Sequence, residues 1–263
     1  MAGEQSIVEN LGSRVTPKGW LNVSGLPPLK FTDCKLCPNR TASDLCNLEG
    51  QALEDFEKIK WSVVFQPGQY VFYEGHAVLG LYILCAGRAK LTRGNDRGQQ
   101  RLIEIVEPGK LIEKHTFQDG AVHQSTCEVI EPSQICVVDR AQYLTLLKQN
   151  GEFAVKIIKL LSHEMGLSLN ETYQFAFASA RERIAGLLLE LVERYGKQAQ
   201  DGVRITIQLK REELAQMAAT TVETAVRILN SLQSTHLIHI KGRDITVLQP
   251  ERLARAAYRT IQA

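Results

Sequence analysis

No stretch of this 263-residue chain approaches the ~18 uninterrupted apolar residues that a membrane span needs. The opening MAGEQSIVEN carries acids where a signal peptide would carry a basic start and an apolar block, so the chain is expected to be cytoplasmic, with no membrane partner. Charge of one sign is equally scarce: 31 Lys and Arg face 29 Asp and Glu, for a net charge of +2. His76, His115, His123, His163, His236 and His239 form no metal-spaced pair, and neither a nucleophile elbow nor a phosphate loop occurs. An enzyme is therefore not expected. What is present is ordinary globular usage, 44% apolar and 23% charged, which excludes a disordered or low-complexity chain and suits two modest cores better than one.

The small net charge hides an asymmetry. The first 179 residues hold 18 Lys and Arg against 20 Asp and Glu, and residues 180–263 hold 13 against 9, so the C-terminal third is the basic part. Residues 1–50 are read as a loosely held arm, rich at first in proline and glycine (Pro17, Pro27, Pro28, Gly12, Gly19, Gly25). Over 51–139, short β-rich runs recur between turn signals, at Ser62-Phe65, Tyr70-Tyr73, Leu81-Cys85, Ala89-Thr92, Arg101-Ile105, Ser125-Ile130 and Gln134-Val138. This spacing predicts a jelly-roll-like barrel.

From Arg140 the pattern turns helical, with a proline-free run from about Gly151 to Ser179. Ala154, Ile158, Leu161, Met165, Ser168, Thr172 and Phe175 alternate by four and three, the seam of a parallel dimer helix, while Ile157 and Leu160 face the chain's own barrel. Ser168 and Thr172 make that seam weaker than an all-aliphatic one, and a weak dimer is one that a signal can switch. Over 180–263 a helix to Tyr195 leads through a β-rich Val203-Leu209 to two short helices, Lys210-Met217 and Thr221-Ser234, and then a hairpin turning at Lys241-Gly242-Arg243-Asp244. That order is a winged helix-turn-helix, whose second helix enters the major groove of double-stranded DNA. Glu223 and Arg227, four apart, share one face. Arginine bridges O6 and N7 of guanine and glutamate accepts from cytosine N4. Val222 and Val226 stand beside them. Thr221 and Lys210 are phosphate-contact candidates, Thr221 being equally suited to simple N-capping.

In a reducing compartment six cysteines point to metal or redox chemistry rather than a disulfide framework. Cys34-Lys-Leu-Cys37 with Cys46 precedes the β-rich part and Cys136 ends it; Cys85 and Cys127 fall within strand patterns and read as packing residues. By itself the CxxC pair suits zinc, a thiol redox switch or an iron-sulfur centre.

These residues together resemble the CRP/FNR family of bacterial transcription regulators, from roughly Cys34 to the C-terminus. The resemblance is carried by Gln66-Pro-Gly-Gln-Tyr-Val-Phe-Tyr-Glu-Gly75, Leu81-Tyr-Ile-Leu-Cys-Ala-Gly87 and Thr221-Val-Glu-Thr-Ala-Val-Arg227. It implies an α+β chain: a cyclic-nucleotide-binding-like β jelly-roll barrel, a long dimerisation helix over 140–179 and a C-terminal winged helix-turn-helix. It further implies a homodimer that binds palindromic promoter sites and works with RNA polymerase.

Nucleotide-binding relatives use a Gly-Glu-Leu for the ribose and an Arg-Ser for the phosphate, where this chain has Glu113-Lys114-His115 and His123-Gln124. Without the arginine fork the buried phosphate lacks its strongest partner, which argues against cyclic AMP. The cysteines are instead similar to those of the FNR oxygen sensors, in which three N-terminal cysteines and one barrel cysteine bind a [4Fe-4S] cluster. That implies Cys34, Cys37, Cys46 and Cys136 as ligands, although the eight residues between Cys37 and Cys46 exceed the usual spacing. In such sensors oxygen destroys the cluster and weakens the dimer. Val222 in place of an arginine favours a TTGAT-like half-site over TGTGA, and Val226 departs from the usual serine. The alternative is a regulator of the same family that responds to a small effector in the barrel, with the cysteines binding zinc or acting as a thiol switch.

Overall fold

Two turn signals in the β-rich segment are not turns, and this decides the shape of the first unit. In the computed structural model, which describes residues 33–96, 98 and 100–257, Leu81-Cys85 and Ala89-Thr92 belong to one strand. So do Ser125-Ile130 and Gln134-Val138. The strands are β1 (Lys60–Phe65), β2 (Tyr70–Phe72), β3 (Leu81–Gly94), β4 (Gln100–Val106), β5 (Leu111–Ile112) and β6 (Thr126–Val138). Gly87 and Pro132 sit opposite each other at a break in the β3–β6 register. Gly87 adopts φ 86°, and a Cβ there would lie 2.5 Å from the Pro132 carbonyl oxygen. Proline has no N–H to give the ladder and glycine no side chain to obstruct the approach, so both strands bend here without ending.

The six strands form one antiparallel sheet in the order β1-β6-β3-β4, with β2 on β6 and β5 on β3. Among the described residues the path is open, which corrects the expected closed barrel. Successive side chains alternate between faces. Leu81, Ile83, Cys136 and Val138 enter one core cluster, while Tyr82, Leu84, Ile135 and Val137 enter the other with Cys127.

The described residues fall into two units, one of 33–93 with 104–163 and one of 94–103 with 164–257. In the first, helix α1 (Gly50–Lys58) and helix α2 (Arg140–Gln149) cover one sheet face, joined by the start of helix α3 (Gly151–Phe177). Leu53 and Phe56 from α1, Tyr143 and Leu146 from α2, and Phe153 and Ile157 from α3 share one cluster with Cys34, Cys46 and Cys136.

In the second unit, helix α4 (Ala180–Tyr195) opens on a capping box between Ser179 and Glu182. A sheet β7-β8-β10-β9 follows, formed by Gly196–Ala199, Gly202–Ile205, Asp244–Val247 and Ile238–Lys241. Helices α5 (Arg211–Met217), α6 (Val222–Ser234) and α7 (Pro250–Ala257) complete it. β7 and α7 have no counterpart in the elements expected from the sequence. The α5–α6 turn passes through Ala219 at φ 47°. Arg183 fixes that turn, its guanidinium donating to the carbonyls of Ala218 at 2.8 Å and Ala219 at 3.1 Å. Arg211 donates to the Gly242 carbonyl at 2.8 Å and holds the β9–β10 hairpin tip.

Candidate sensor site and nucleic-acid interface

The part of the N-terminal arm within the described residues is docked rather than loose, because its backbone groups find partners on the sheet. After a 3-10 turn at Cys34–Leu36, the Cys37 N–H donates to the Cys34 carbonyl and the Arg40 N–H to that of Cys37. The Ser43 hydroxyl accepts from the Cys46 N–H at 3.2 Å. Asp44 accepts from the Leu111 N–H at 2.9 Å, and its own N–H donates to the Gly109 carbonyl. Leu45 and Leu48 are buried. The proline- and glycine-rich stretch before Asp33 lies outside the described residues.

This docking closes a cavity against the sheet, and Cys34, Cys37, Cys46 and Cys136 all line it. So does Cys85, which the sequence reading assigned to packing. Cys136 sits on the central strand with Ser62 of β1 on one side and Ile83 of β3 on the other. The Cys85 thiol donates to the Ile83 carbonyl at 3.7 Å and lies beside the Cys136 thiol. Burial pushes the Cys34 thiol up to about 12 and raises Cys46 as well. The two neighbouring thiols shift in opposite directions, their interaction raising Cys85 and lowering Cys136. Lys60 contributes an ammonium beside Cys34. Burial alone would lower it, but Cys136 and Cys34 outweigh that and hold it above its ordinary value.

The donor set fits a thiolate-bound inorganic centre. Soft sulfur ligands select iron-sulfur clusters and zinc, and a buried cation offsets the charge that four thiolates bring. Among the described residues no three Cys, His, Asp or Glu side chains already surround a single point as one metal ion requires. A cubane needs no such point, since its four thiolates bind four separate irons. Cys127 is apart from all this, fully buried in the cluster on the other sheet face with its thiol raised by burial.

A second arrangement occupies the stretch that the resemblance set against the nucleotide-contacting residues of relatives. Glu113 holds φ 57°, a left-handed conformation costing a non-glycine residue about 1–2 kcal/mol. Its carboxylate is buried and accepts from Ser125 Oγ at 2.5 Å and pairs with His123 Nδ1 at 2.6 Å. The His123 ring stacks on Phe72 with centroids 3.7 Å apart. Burial opposes ionisation of Glu113, but the His123 and Ser125 hydrogen bonds and the two neighbouring histidines, His123 and His115, outweigh it and hold the carboxyl below its ordinary value. The His123 imidazole is thus already engaged by a carboxylate from the same chain. This pairing, between residues ten apart, was not read from the sequence.

In the second unit the faces of α6 are separated cleanly. Ala225, Ile228, Leu229 and Leu232 are buried, whereas Glu223, Val226 and Arg227 are exposed and Val222 is half-buried. Thr221 caps the helix, its hydroxyl accepting from the Thr224 N–H at 3.2 Å. Lys210 is exposed at the start of α5.

On α3, Ala154 and Leu161 are half-buried, and Ile158, Met165, Ser168 and Thr172 are exposed; the Phe175 side chain lies outside the described residues. From Met165, already on the expected seam, Leu169, Tyr173 and Phe177 continue at intervals of four as a second exposed apolar row that the expected seam does not include. Thr172 Oγ1 donates to the Ser168 carbonyl at 2.8 Å, satisfying its hydroxyl within the helix.

A sensor-like β domain with a helix-turn-helix and hairpin wing defines a DNA-binding transcription regulator. A model of the cyclic nucleotide-binding domain matches residues 62–150, and a model of the Crp-like helix-turn-helix domain matches residues 182–256. The chain belongs to the CRP/FNR family of transcription regulators. It is 26% identical over 210 residues to a CRP-like cAMP-activated global transcriptional regulator of Mycobacterium tuberculosis, covering 80% of this chain and 94% of that protein. It is 23% identical over 225 residues to the fumarate and nitrate reduction regulatory protein of Vibrio cholerae, covering 84% and 90%. Among solved structures, FixK2 from Bradyrhizobium japonicum shares the fold with a TM-score of 0.65 at 18% identity, over 75% of this chain and 97% of that one. Among the described residues no helix is long and apolar enough to cross a membrane.

Proposed function

We propose that this regulator senses oxygen or redox state through a [4Fe-4S] cluster held by Cys34, Cys37, Cys46 and Cys136, which governs its dimerisation and its binding to TTGAT-like inverted repeats. The observation that carries this reading is the convergence of those four thiols, from two distant parts of the chain, on one cavity beside Lys60. The tie between Glu113 and His123 supports it from the other side, because a cyclic phosphate would have to displace a buried carboxylate that already engages the His123 imidazole. This argues against cyclic AMP as the ligand.

When bound, the cluster supplies an oxygen-labile bond between the 33–48 segment and the sheet. The chain's own residues do the rest. Cys136 leads within three residues to Asp139, whose carboxylate caps α2 by accepting from the Gln142 N–H at 2.8 Å. Tyr143 and Leu146 of α2 and Phe153 and Ile157 of α3 pack in the cluster that Cys34, Cys46 and Cys136 line. The setting of the α3 base thus depends on how tightly the segment is held. Beyond the base, Met165 is 64% and Leu169 65% exposed in the single chain, and a second copy of α3 covers them. With Ser168 and Thr172 in the seam, a bias of a few kcal/mol moves the population between dimer and monomer.

Met165→Glu should leave the monomer folded, since the site is exposed, yet weaken self-association at least about tenfold by sedimentation. The assembled dimer presents two α6 helices, with Thr221, Val222, Glu223, Val226 and Arg227 at the bases or phosphates and Lys210 at the backbone, and then recruits RNA polymerase. Arg227→Ala should lose about 1–3 kcal/mol of discrimination at one guanine, roughly 5- to 150-fold. Equal affinity of the variant for the cognate site and one mutated at that guanine supports the assignment, and undiminished preference removes it.

The reading as a whole is tested by fluorescence anisotropy on a TTGAT palindrome before and after air exposure. Tight binding lost with the iron supports it. Binding indifferent to air but restored by a small effector, in a colourless or zinc-loaded chain, gives the site to the alternative regulator of the same family.

A further inference from the structure

Five thiols line a cavity whose proposed occupant takes four, and the surplus one is Cys85. Its placement is specific. Leu84 pairs with Ile135 and Ala86 with Gln134, so Cys85 is the extra residue of a β-bulge with no partner across the ladder. Bulges re-aim side chains, and this one keeps Cys85 on the face of Ile83 and Cys136, in the same apolar cluster as the N-terminal cysteines. The Cys85 carbonyl accepts from Asn39 Nδ2 at 2.9 Å, which lays the loop between Cys37 and Cys46 directly over it. Cys127 shows what a packing cysteine looks like in this sheet: fully buried, regularly paired with Phe72 and Leu91, and facing the opposite cluster. Cys85 is half-buried, unpaired and turned toward other thiols.

We propose that Cys85 is a ligand-competent thiol of the same centre, able to take the iron corner otherwise held by Cys136. The inference rests on the cluster reading above and names a residue that reading does not use. The 33–48 segment supplies three thiols at fixed turns, and the sheet supplies two neighbours, either of which completes the set. Exchange needs no oxidant: the incoming thiol gives up its proton to solvent as its sulfur binds iron, and the departing thiolate takes one up. A centre with a spare corner ligand survives the loss of one sheet thiol but not of both.

The test is anaerobic reconstitution of the full chain with ferrous iron and sulfide, followed by iron and acid-labile sulfide assays. Wild type, Cys85→Ala, Cys136→Ala and the double variant are compared, with circular dichroism confirming the fold. Both single variants are expected to load fully and the double variant to lose the centre. A Cys136→Ala variant as empty as the double one overturns the role of Cys85 while leaving the cluster reading intact. A double variant that still loads removes both sheet thiols from the ligand set, and an iron-free wild type overturns the cluster reading and this inference together. If the double alanine variant unfolds, Cys85→Val/Cys136→Ala keeps the bulge filled and repeats the comparison.

Discussion

Cys46→Ala is expected to leave the anaerobically purified chain without iron or acid-labile sulfide, and with the DNA affinity of the air-exposed wild type. Cys46 is held by the Ser43 turn and shares one buried cluster with Cys34, Cys136 and Leu48, and its loss leaves the 33–48 segment only Cys34 and Cys37 to meet the thiols of the sheet. The other surplus thiol, Cys127, faces the opposite side of the sheet. The change removes one sulfur and little apolar bulk, so the fold should survive within about 1–2 kcal/mol, measurable by urea denaturation. A fully loaded Cys46→Ala chain would show that the segment does not supply three ligands.

The second large effect concerns stability. Glu113→Ala leaves His123 and Ser125 without their shared acceptor inside the sheet domain. Leaving two buried hydrogen-bonding side chains without their carboxylate acceptor costs about 1–3 kcal/mol each, and alanine, which keeps its Cβ, relieves none of the left-handed backbone strain. The melting temperature should fall by on the order of 10 °C. The pH dependence has a defined sign. A carboxyl held below its ordinary value of 4.5 contributes stability that is fully present above that value and is lost as pH falls through the lower folded value. Glu113→Gln should therefore flatten the acid limb of the stability curve below pH 4.5 while leaving its neutral slope alone. An unchanged acid limb would mean that the carboxylate is not ionised in the fold.

How far the sequence carries follows from which signals are local. The buried face of α6 and the β9–β10 hairpin follow from spacing and turn chemistry within about a dozen residues, and both form as read. Ala86-Gly87 and Glu131-Pro132 carry the same local signal whether the chain turns or bulges. Only their mutual opposition across β3 and β6 decides, and that is a long-range fact. The place of Cys85 at the cavity was hidden for the same reason: it packs against the core as read, but alternation fixes only the face on which a strand residue points and not what covers that face. The Glu113–His123 pair needed the 3-10 turn between them to be placed before two departures from a nucleotide site became one interaction. The seam on α3 was legible as periodicity, yet its exposed second row appeared only when the helix's own contacts ended near Leu161.

The central claim is that thiols from the 33–48 segment and the sheet share one inorganic centre. The most direct measurement is the iron and acid-labile sulfide content of the wild-type chain purified without air, read beside its visible absorption. The account predicts a brown protein with iron and sulfide in equal amounts, both lost with the colour on exposure to oxygen. A colourless chain free of both, binding the TTGAT palindrome equally well with and without air, would contradict it.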